Sequence, residues 1–304
     1  MLMMKKSDFD LALQIKKDIQ DLTGKKHIFF TNRCNESLKI AVSLAKEVQK
    51  SKYLDSDEKS STKLLMQKEG GWLTYPQLAL KNKIRPIYIS MNNGKLELSE
   101  ISFENKGDVL VMHSMPGYSF HEEMAEVEKK CLNNSVFLIN DCSGSIGSDS
   151  AIYGDVVVCS FGHAKPLDIG IGGFIATDDY SENILTGIEN FERDGLFFLN
   201  GAQEKIDLKM LSYALLGLKE KLEYWKKITK KVKKELTKKG FNVLNSDSES
   251  GINVLVGFSD EEEKENLIKY CSEHKLEYTL CPRYIRTNLN AISIEIKRIP
   301  FRKV

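Results

Sequence analysis

The feature that most constrains the fold of this chain is a succession of short apolar runs separated by helix-length amphipathic segments. HIFFT (27–31), PIYIS (86–90), DVLVM (108–112), SVFLIN (135–140) and DVVVCS (155–160) each read as a strand. SVFLIN and DVVVCS are apolar at consecutive positions, so both faces need cover, as in a parallel sheet sandwiched by helices. Residues 8–22 set Phe9, Leu11, Leu13, Ile15, Ile19 and Leu22 mostly on one helical face before Gly24. The segment NRCNESLKIAVSLAKEVQK repeats that spacing through Leu38, Ala41, Val42 and Ala45, and residues 119–134 read as a further helix. The alternation predicts an α/β domain with a mainly parallel sheet flanked by helices.

Residues 51–62 are polar and predict an exposed loop. Residues 204–239 read as a long charged helix or a helix pair. Their KKITKKVKKELTKK run (226–239) has the charge of a nucleic-acid patch, but its helical spacing predicts a solvated face with Ile228, Val232 and Leu236 buried. Past Gly240, INVLVGFS (252–259), residues 260–275, LEYTLC (276–281) and AISIEI (291–296) predict strand, helix, strand, strand. The expected division is a large α/β domain over 1–240 and a small α+β domain over 241–304.

Bulk properties exclude several functions. Lys+Arg 44 against Asp+Glu 43 leaves a net charge of +1, so no long-range field argues for nucleic acid or an anionic membrane. The six cysteines form no CxxC pair and have no zinc-site spacing with histidine, so no metal is expected. They read as free thiols in a reducing cytoplasm. No signal peptide is visible in MLMMKKSDFD, and no apolar run approaches the roughly 18 residues of a membrane span.

Three stretches lie where chemistry would want them. Asp141 ends the strand SVFLIN and is followed by small residues, and ligands of open α/β sheets bind beyond the carboxyl ends of strands. A helix cap or turn is the competing role. Ser160 ends the next strand, and Lys165 follows five residues on, between His163 and Pro166. A lysine that loses its proton readily can form a Schiff base with an aldehyde, and an exposed turn lysine is the alternative. In TNRCNESLKIAV (31–42) a strand turns into a helix whose first N–H groups can attract a phosphate. His113, following a strand, and His163 are further candidates for a ligand or substrate contact, with a structural role the alternative for each. Arg283 and Arg286 offer guanidinium groups suited to a substrate carboxylate, or sit in a solvated turn.

The order of these pieces resembles that of fold-type I pyridoxal-phosphate enzymes, and more narrowly the DegT/DnrJ/EryC1/StrS family of sugar aminotransferases. That family carries EDxAxxxG, SFxxxK and GEGG segments; this chain has NDCSGSIG (140–147), SFGHAK (160–165) and GIGG (170–173). RCNESL (33–38) lies where the family has SGTAAL, and GAQEKIDLKMLSYALLGLKEKL (201–222) parallels its GxNxRMSELQAALGLxQL. GWLTYPQLALKNKIRPIYIS (71–90) parallels an aromatic-containing stretch, a helix and a strand.

The resemblance implies a seven-stranded-type sheet and pyridoxal 5′-phosphate as cofactor. It implies that Lys165 forms the Schiff base and shuttles a proton, and that Asp141 pairs with the pyridine nitrogen. Ser160 would hold the phosphate with the backbone amides of Cys34 and Asn35, and Gln203 would reach it across a dimer interface. Trp72 or Tyr75 would stack on the ring. The implied activity moves an amino group from a donor such as glutamate to a keto or aldehyde acceptor, a nucleotide-linked sugar in the family. A lyase, aldolase or desulfurase on the same fold and a non-catalytic relative are the alternatives. The sequence departs from the family at Arg33–Cys34–Asn35, at Gly144 and at Ile171.

Overall fold

The computed structural model describes residues 6–53, 62–92, 94–100, 107–178, 198–199 and 202–301. The chain builds a seven-stranded sheet from β1 (His27–Thr31), β2 (Lys63–Gln67), β3 (Arg85–Ile89), β6 (Val109–His113), β7 (Phe137–Asp141), β8 (Val156–Ser160) and β9 (Gly173–Thr177). The spatial order is β1-β9-β8-β7-β6-β2-β3. β3, β2, β6, β7 and β8 run parallel; β9 alone runs against both its neighbours, β8 and β1. β4 (Met91–Asn92) and β5 (Lys95–Leu96) form a small hairpin after β3.

The strand β2 is not marked by the sequence pattern, because KLLMQ is short and begins and ends in polar residues. It is nevertheless an interior strand, paired with β3 on one side and β6 on the other.

Helix α1 (Lys6–Thr23) buries Ala12, Ile15 and Ile19 and ends at Gly24, whose φ of 68° suits a residue without a Cβ. Helix α2 (Cys34–Tyr53) buries the expected face of Leu38, Ala41, Val42 and Ala45 against β7, β8 and β9. It continues through Tyr53, so the loop expected from residue 51 begins later, and 54–61 lie outside the described residues. Two shorter helices follow, α3 (Tyr75–Lys81) and α4 (Met124–Asn133). The charged segment after 204 is a pair, α5 (Leu208–Leu216) and α6 (Leu218–Lys238), joined at Gly217.

A four-stranded antiparallel sheet of order β10-β11-β13-β12 is built from β10 (Asn242–Val243), β11 (Val254–Gly257), β12 (Tyr278–Leu280) and β13 (Ala291–Ile294), with helix α7 (Glu261–Glu273). Its apolar core includes Trp225, Val232 and Leu236 of α6, and also Met115 and Tyr118 from the turn after β6. Ile228 packs half-buried against the same core. One lysine of the KK-rich run departs from the solvated face expected of it. Lys233 is buried, and its Nζ donates to the carbonyls of Asn245 (2.9 Å) and Ser248 (2.7 Å).

Parallel strands bring His113, Asp141 and Ser160 to one edge of the large sheet. His113 lies in register with Asp141, and Ser160 with Gly173. This is the edge where loops converge in open α/β folds.

Candidate active site

A cavity of about 430 Å³ opens at that edge. Its lining brings together Asp141, Ser160, Lys165, His163, Trp72, Cys34 and Asn35, together with Arg33, Tyr118, Ser143 and Ile171. Seven of the candidates from four separated stretches of sequence thus face one space, which is of ordinary size for a small-molecule site.

Asp141 is fixed from two sides. Its Oδ1 accepts from the Ser143 N–H at 3.1 Å and its Oδ2 from the Tyr75 hydroxyl at 2.9 Å. Tyr75 is fully buried, and Asp141 is nearly so. Burial, then the charge of Asp141, pushes the Tyr75 hydroxyl well above its ordinary value, so it stays a donor. The aromatic question left open by the sequence divides accordingly. Trp72 lines the cavity, with its indole Nε1 donating to Asn35 Oδ1 at 2.7 Å, while Tyr75 holds the aspartate from behind.

Lys165 sits in a tight loop between β8 and β9. Asp168 closes the loop by accepting from the N–H groups of Ala164 (2.8 Å) and Gly170 (3.0 Å). Lys221 of α6 donates to the carbonyls of Lys165 and Pro166, each at 3.0 Å. The lysine stem therefore leaves a backbone held at both ends, and its Nζ lies 5.9 Å from the Trp72 ring centroid and 4.1 Å from that of Tyr118. His163 stands at the mouth, its side chain 88% exposed, with Nδ1 3.5 Å from Asp168 Oδ1.

The helix start is built for close approach. A Cβ on Gly173 would lie 2.9 Å from Cys34 N and 2.6 Å from Cys159 O, so only glycine lets β9 run this near the first turn of α2. Ser160 lies across from that turn, its N–H bonded to Ser143 Oγ at 2.9 Å. Cys34 is buried, and burial followed by the Asp141 charge pushes its thiol well up. Its Sγ lies 3.8 Å from Ser143 Oγ, and a thiol held protonated in this way is a poor nucleophile.

His113 lies under the site rather than on its wall. It is buried, and desolvation lowers its pKa to about 4, so the ring is neutral. Nδ1 accepts from the Met115 N–H at 3.1 Å, which puts the proton on Nε2, and that buried atom has no partner. Arg286 and Arg283 are not brought to the cavity. Arg286 is buried and bonded to Glu295 through Nε (2.8 Å) and Nη2 (2.9 Å), and Arg283 is exposed. Burial alone would push the Glu295 carboxyl up; Lys297 and Arg286 outweigh it and hold it at about 2. The side chain of Gln203 lies outside the described residues.

Sequence reasoning missed Tyr118, a wall of the cavity whose hydroxyl accepts a hydrogen bond from Lys165 Nζ. The only local signal is the PGY turn, where Gly117 and Tyr118 both have positive φ, 58° and 64°. Among the described residues no cluster of His, Cys, Asp or Glu is arranged to hold a metal, and no helix is long and apolar enough to cross a membrane.

No protein-family model matches the chain, and no curated protein matches it. Solved structures do match. NtdA from Bacillus subtilis, solved with bound cofactor PMP, superposes with a TM-score of 0.69 at 16% identity, over 94% of this chain and 72% of that one. A DegT DnrJ EryC1 StrS aminotransferase from Brucella abortus gives 0.66 at 13% identity, over 94% and 84%. A cysteine desulfurase from Thermococcus onnurineus gives 0.65 at 15% identity, over 95% and 80%. The likeness is one of fold. The chain has the fold-type I architecture that its motif order leads one to expect, shared by an aminotransferase and a cysteine desulfurase alike.

Proposed function

We propose that this protein is a pyridoxal-phosphate-dependent aminotransferase. The observation that carries the reading is that Lys165 and the buried carboxylate of Asp141 face one cavity, beside a helix start and an indole ring. The residues present fit the cofactor. A phosphate suits the first turn of α2 with Ser160, and the Gly173 cradle keeps that turn open. When bound, the cofactor supplies an aldehyde carbon and an electron sink.

The chain's residues do the rest. Asp141, oriented by Tyr75 and Ser143, would pair with the pyridine nitrogen. Trp72, fixed through Asn35, would lie against the ring. Lys165 Nζ is both the attachment point and the base that moves a proton at the substrate's α-carbon. The donor is an amino acid such as glutamate, and the acceptor a keto or aldehyde compound, for which a nucleotide-linked sugar is the proposed class. His163 at the mouth is the candidate substrate contact.

Amino transfer is preferred to desulfuration because all six cysteines are buried, so none is presented as an accessible nucleophile. Cys34 and Cys281 are both buried with their thiols pushed up, chiefly by burial. A homodimer with a shared site is proposed, supported by the exposed apolar side chains Met210 (51%), Tyr213 (75%) and Leu216 (69%) on α5. A reducing cytoplasm suits six free cysteines. Residues 241–304 are proposed as the small domain.

The test is spectroscopic. Protein mixed with pyridoxal phosphate should gain a visible absorption band, and borohydride should lock the cofactor's mass onto the peptide containing Lys165. Glutamate should bleach the band and a keto acid restore it. No band, or a band that survives Lys165→Ala, overturns the reading; a band that needs no keto acid for turnover replaces the aminotransferase with a lyase.

A further inference from the structure

Tyr118 occupies the centre of a charge cluster that the proposed roles leave unused. Its hydroxyl accepts from Lys165 Nζ, and Lys165 Nζ also lies 4.1 Å from its ring centroid. Two more basic side chains lie against the ring: Lys297 Nζ at 3.3 Å from the centroid and Arg286 Cζ at 5.0 Å. His113 meets it edge-on at 4.8 Å. Aromatic faces attract cations in this way, most strongly when the pair is desolvated, and Tyr118 and Lys297 are both nearly buried.

The backbone around Tyr118 is equally committed. Two successive residues hold left-handed φ, and the carbonyl of Tyr118 accepts from the N–H groups of Ile252 and Asn253, each at 2.8 Å. A non-glycine residue stays in that conformation only where its surroundings impose it. Position 144 also yields to this ring, since a Cβ there would lie 2.8 Å from Tyr118 Cδ1. A tyrosine serving only the core would aim its hydroxyl at a backbone carbonyl or at solvent. This one aims it at the amine on which the proposed reaction turns.

We propose that Tyr118 is a further catalytic residue, the hydrogen-bond partner that holds Lys165 Nζ through both directions of its proton transfer, with Lys297 as the positioning residue that fixes the ring. The inference rests on the reading of Lys165 as the base. When the amine takes the proton of the substrate's α-carbon, the C–H electron pair stays with the substrate and the new ammonium donates to the tyrosine oxygen. When the ammonium returns the proton, the amine lone pair accepts from the tyrosine O–H. Tyr118 ends each cycle neutral, and no further reactant is needed.

Tyr118→Phe keeps the ring and removes only the hydroxyl. With pyridoxal phosphate it should still form the visible band with an affinity close to wild type. Exchange of the donor amino acid's α-hydrogen with solvent should fall about 10²-fold. In cofactor-free protein, acylation of Lys165, read by mass spectrometry, should become about tenfold faster once the amine loses its charge-assisted hydrogen bond. Lys297→Met should slow the exchange in the wild-type background and do nothing further in Tyr118→Phe. A wild-type protein that never forms the band defeats the functional reading instead. A band with exchange and acylation unchanged in Tyr118→Phe overturns the role of Tyr118. Should that variant lose its native circular dichroism, 3-fluorotyrosine at 118 keeps shape and hydroxyl while making the hydroxyl more acidic. It should change the exchange rate about twofold or more, and an unchanged rate overturns the proposal.

Discussion

The Tyr75 hydroxyl donates to Asp141 Oδ2 at 2.9 Å, and both side chains are buried. A buried carboxylate is costly unless its oxygens are satisfied, and here the Ser143 N–H and Tyr75 share that task. Tyr75→Phe removes one donor and leaves the ring. The expected cost is about 1.5–3 kcal/mol, the range for a hydrogen bond to a charged group, seen as a lower urea midpoint at unchanged slope. Because the carboxylate is then less firmly oriented, pyridoxal-phosphate affinity should fall about tenfold. Tyr75→Phe with unchanged stability and affinity would show that Asp141 needs no second donor.

Position 144 offers the converse test. Gly144 leaves no gap, since its missing Cβ would sit 2.8 Å from Tyr118 Cδ1 and 2.9 Å from His113 Cε1. Gly144→Gln should therefore destabilise the fold by about 1–3 kcal/mol through overpacking. It should also push Tyr118 away from Lys165 and so slow amino transfer. A stable, faster Gly144→Gln protein would mean that the Tyr118 ring swings aside freely. Thermal melts and donor half-reaction rates decide between these.

Much of this site is legible in the sequence because it is carried by residues at fixed points of regular elements. Asp141 and Ser160 end interior strands, and Lys165 lies in the turn after one. Strand ends in a parallel sheet converge whatever the details of packing. The rest depends on distances that no spacing encodes. Tyr118 reaches Lys165 only because the PGY turn bends back through two left-handed residues and is pinned by Ile252 and Asn253. Arg286 reads as a free guanidinium in sequence, but Glu295, nine residues on, lies beside it once the chain forms its bridge between Arg283 and Thr287. Of the two aromatics in GWLTY, the one at the first position of α3 turns inward to Asp141 and the one before it faces the cavity. The strand β2 escapes notice because five residues with polar ends carry too little pattern.

Gly173 sets how closely β9 approaches the helix start. Any Cβ there meets backbone on both sides, Cys159 O at 2.6 Å and Cys34 N at 2.9 Å, so no side-chain rotation relieves it. Gly173→Ala should move the first turn of α2 away from Ser160. Expected outcomes are a stability loss of about 1–3 kcal/mol and a larger loss of affinity for pyridoxal phosphate than for pyridoxal, which lacks the phosphate. Equal losses for the two ligands would separate Gly173 from phosphate binding.

His121 and Glu122 are neighbours whose titrations oppose each other. Burial lowers His121 from 6.5 to about 4 and raises Glu122 from 4.5 to about 7. The folded state favours the neutral form of each. For His121 the unfolded chain takes up protons first, so its contribution is complete above pH 6.5 and is lost as pH falls towards 4. For Glu122 the unfolded chain loses its proton first, so stability declines as pH rises from 4.5 to 7 and stays lower above that. Each shift corresponds to about 3 kcal/mol, and between pH 4.5 and 6.5 the two slopes nearly cancel. The wild-type urea midpoint should therefore vary little across that window. Glu122→Gln, which can still accept from the Leu96 N–H at the 2.8 Å position of the carboxylate, should be the more stable protein above pH 7 and should lose stability on acidification below 6.5. His121→Gln should slope the other way, gaining stability as pH falls from 7 to 4.5. Parallel midpoint profiles for the two variants would mean that neither burial is retained in solution.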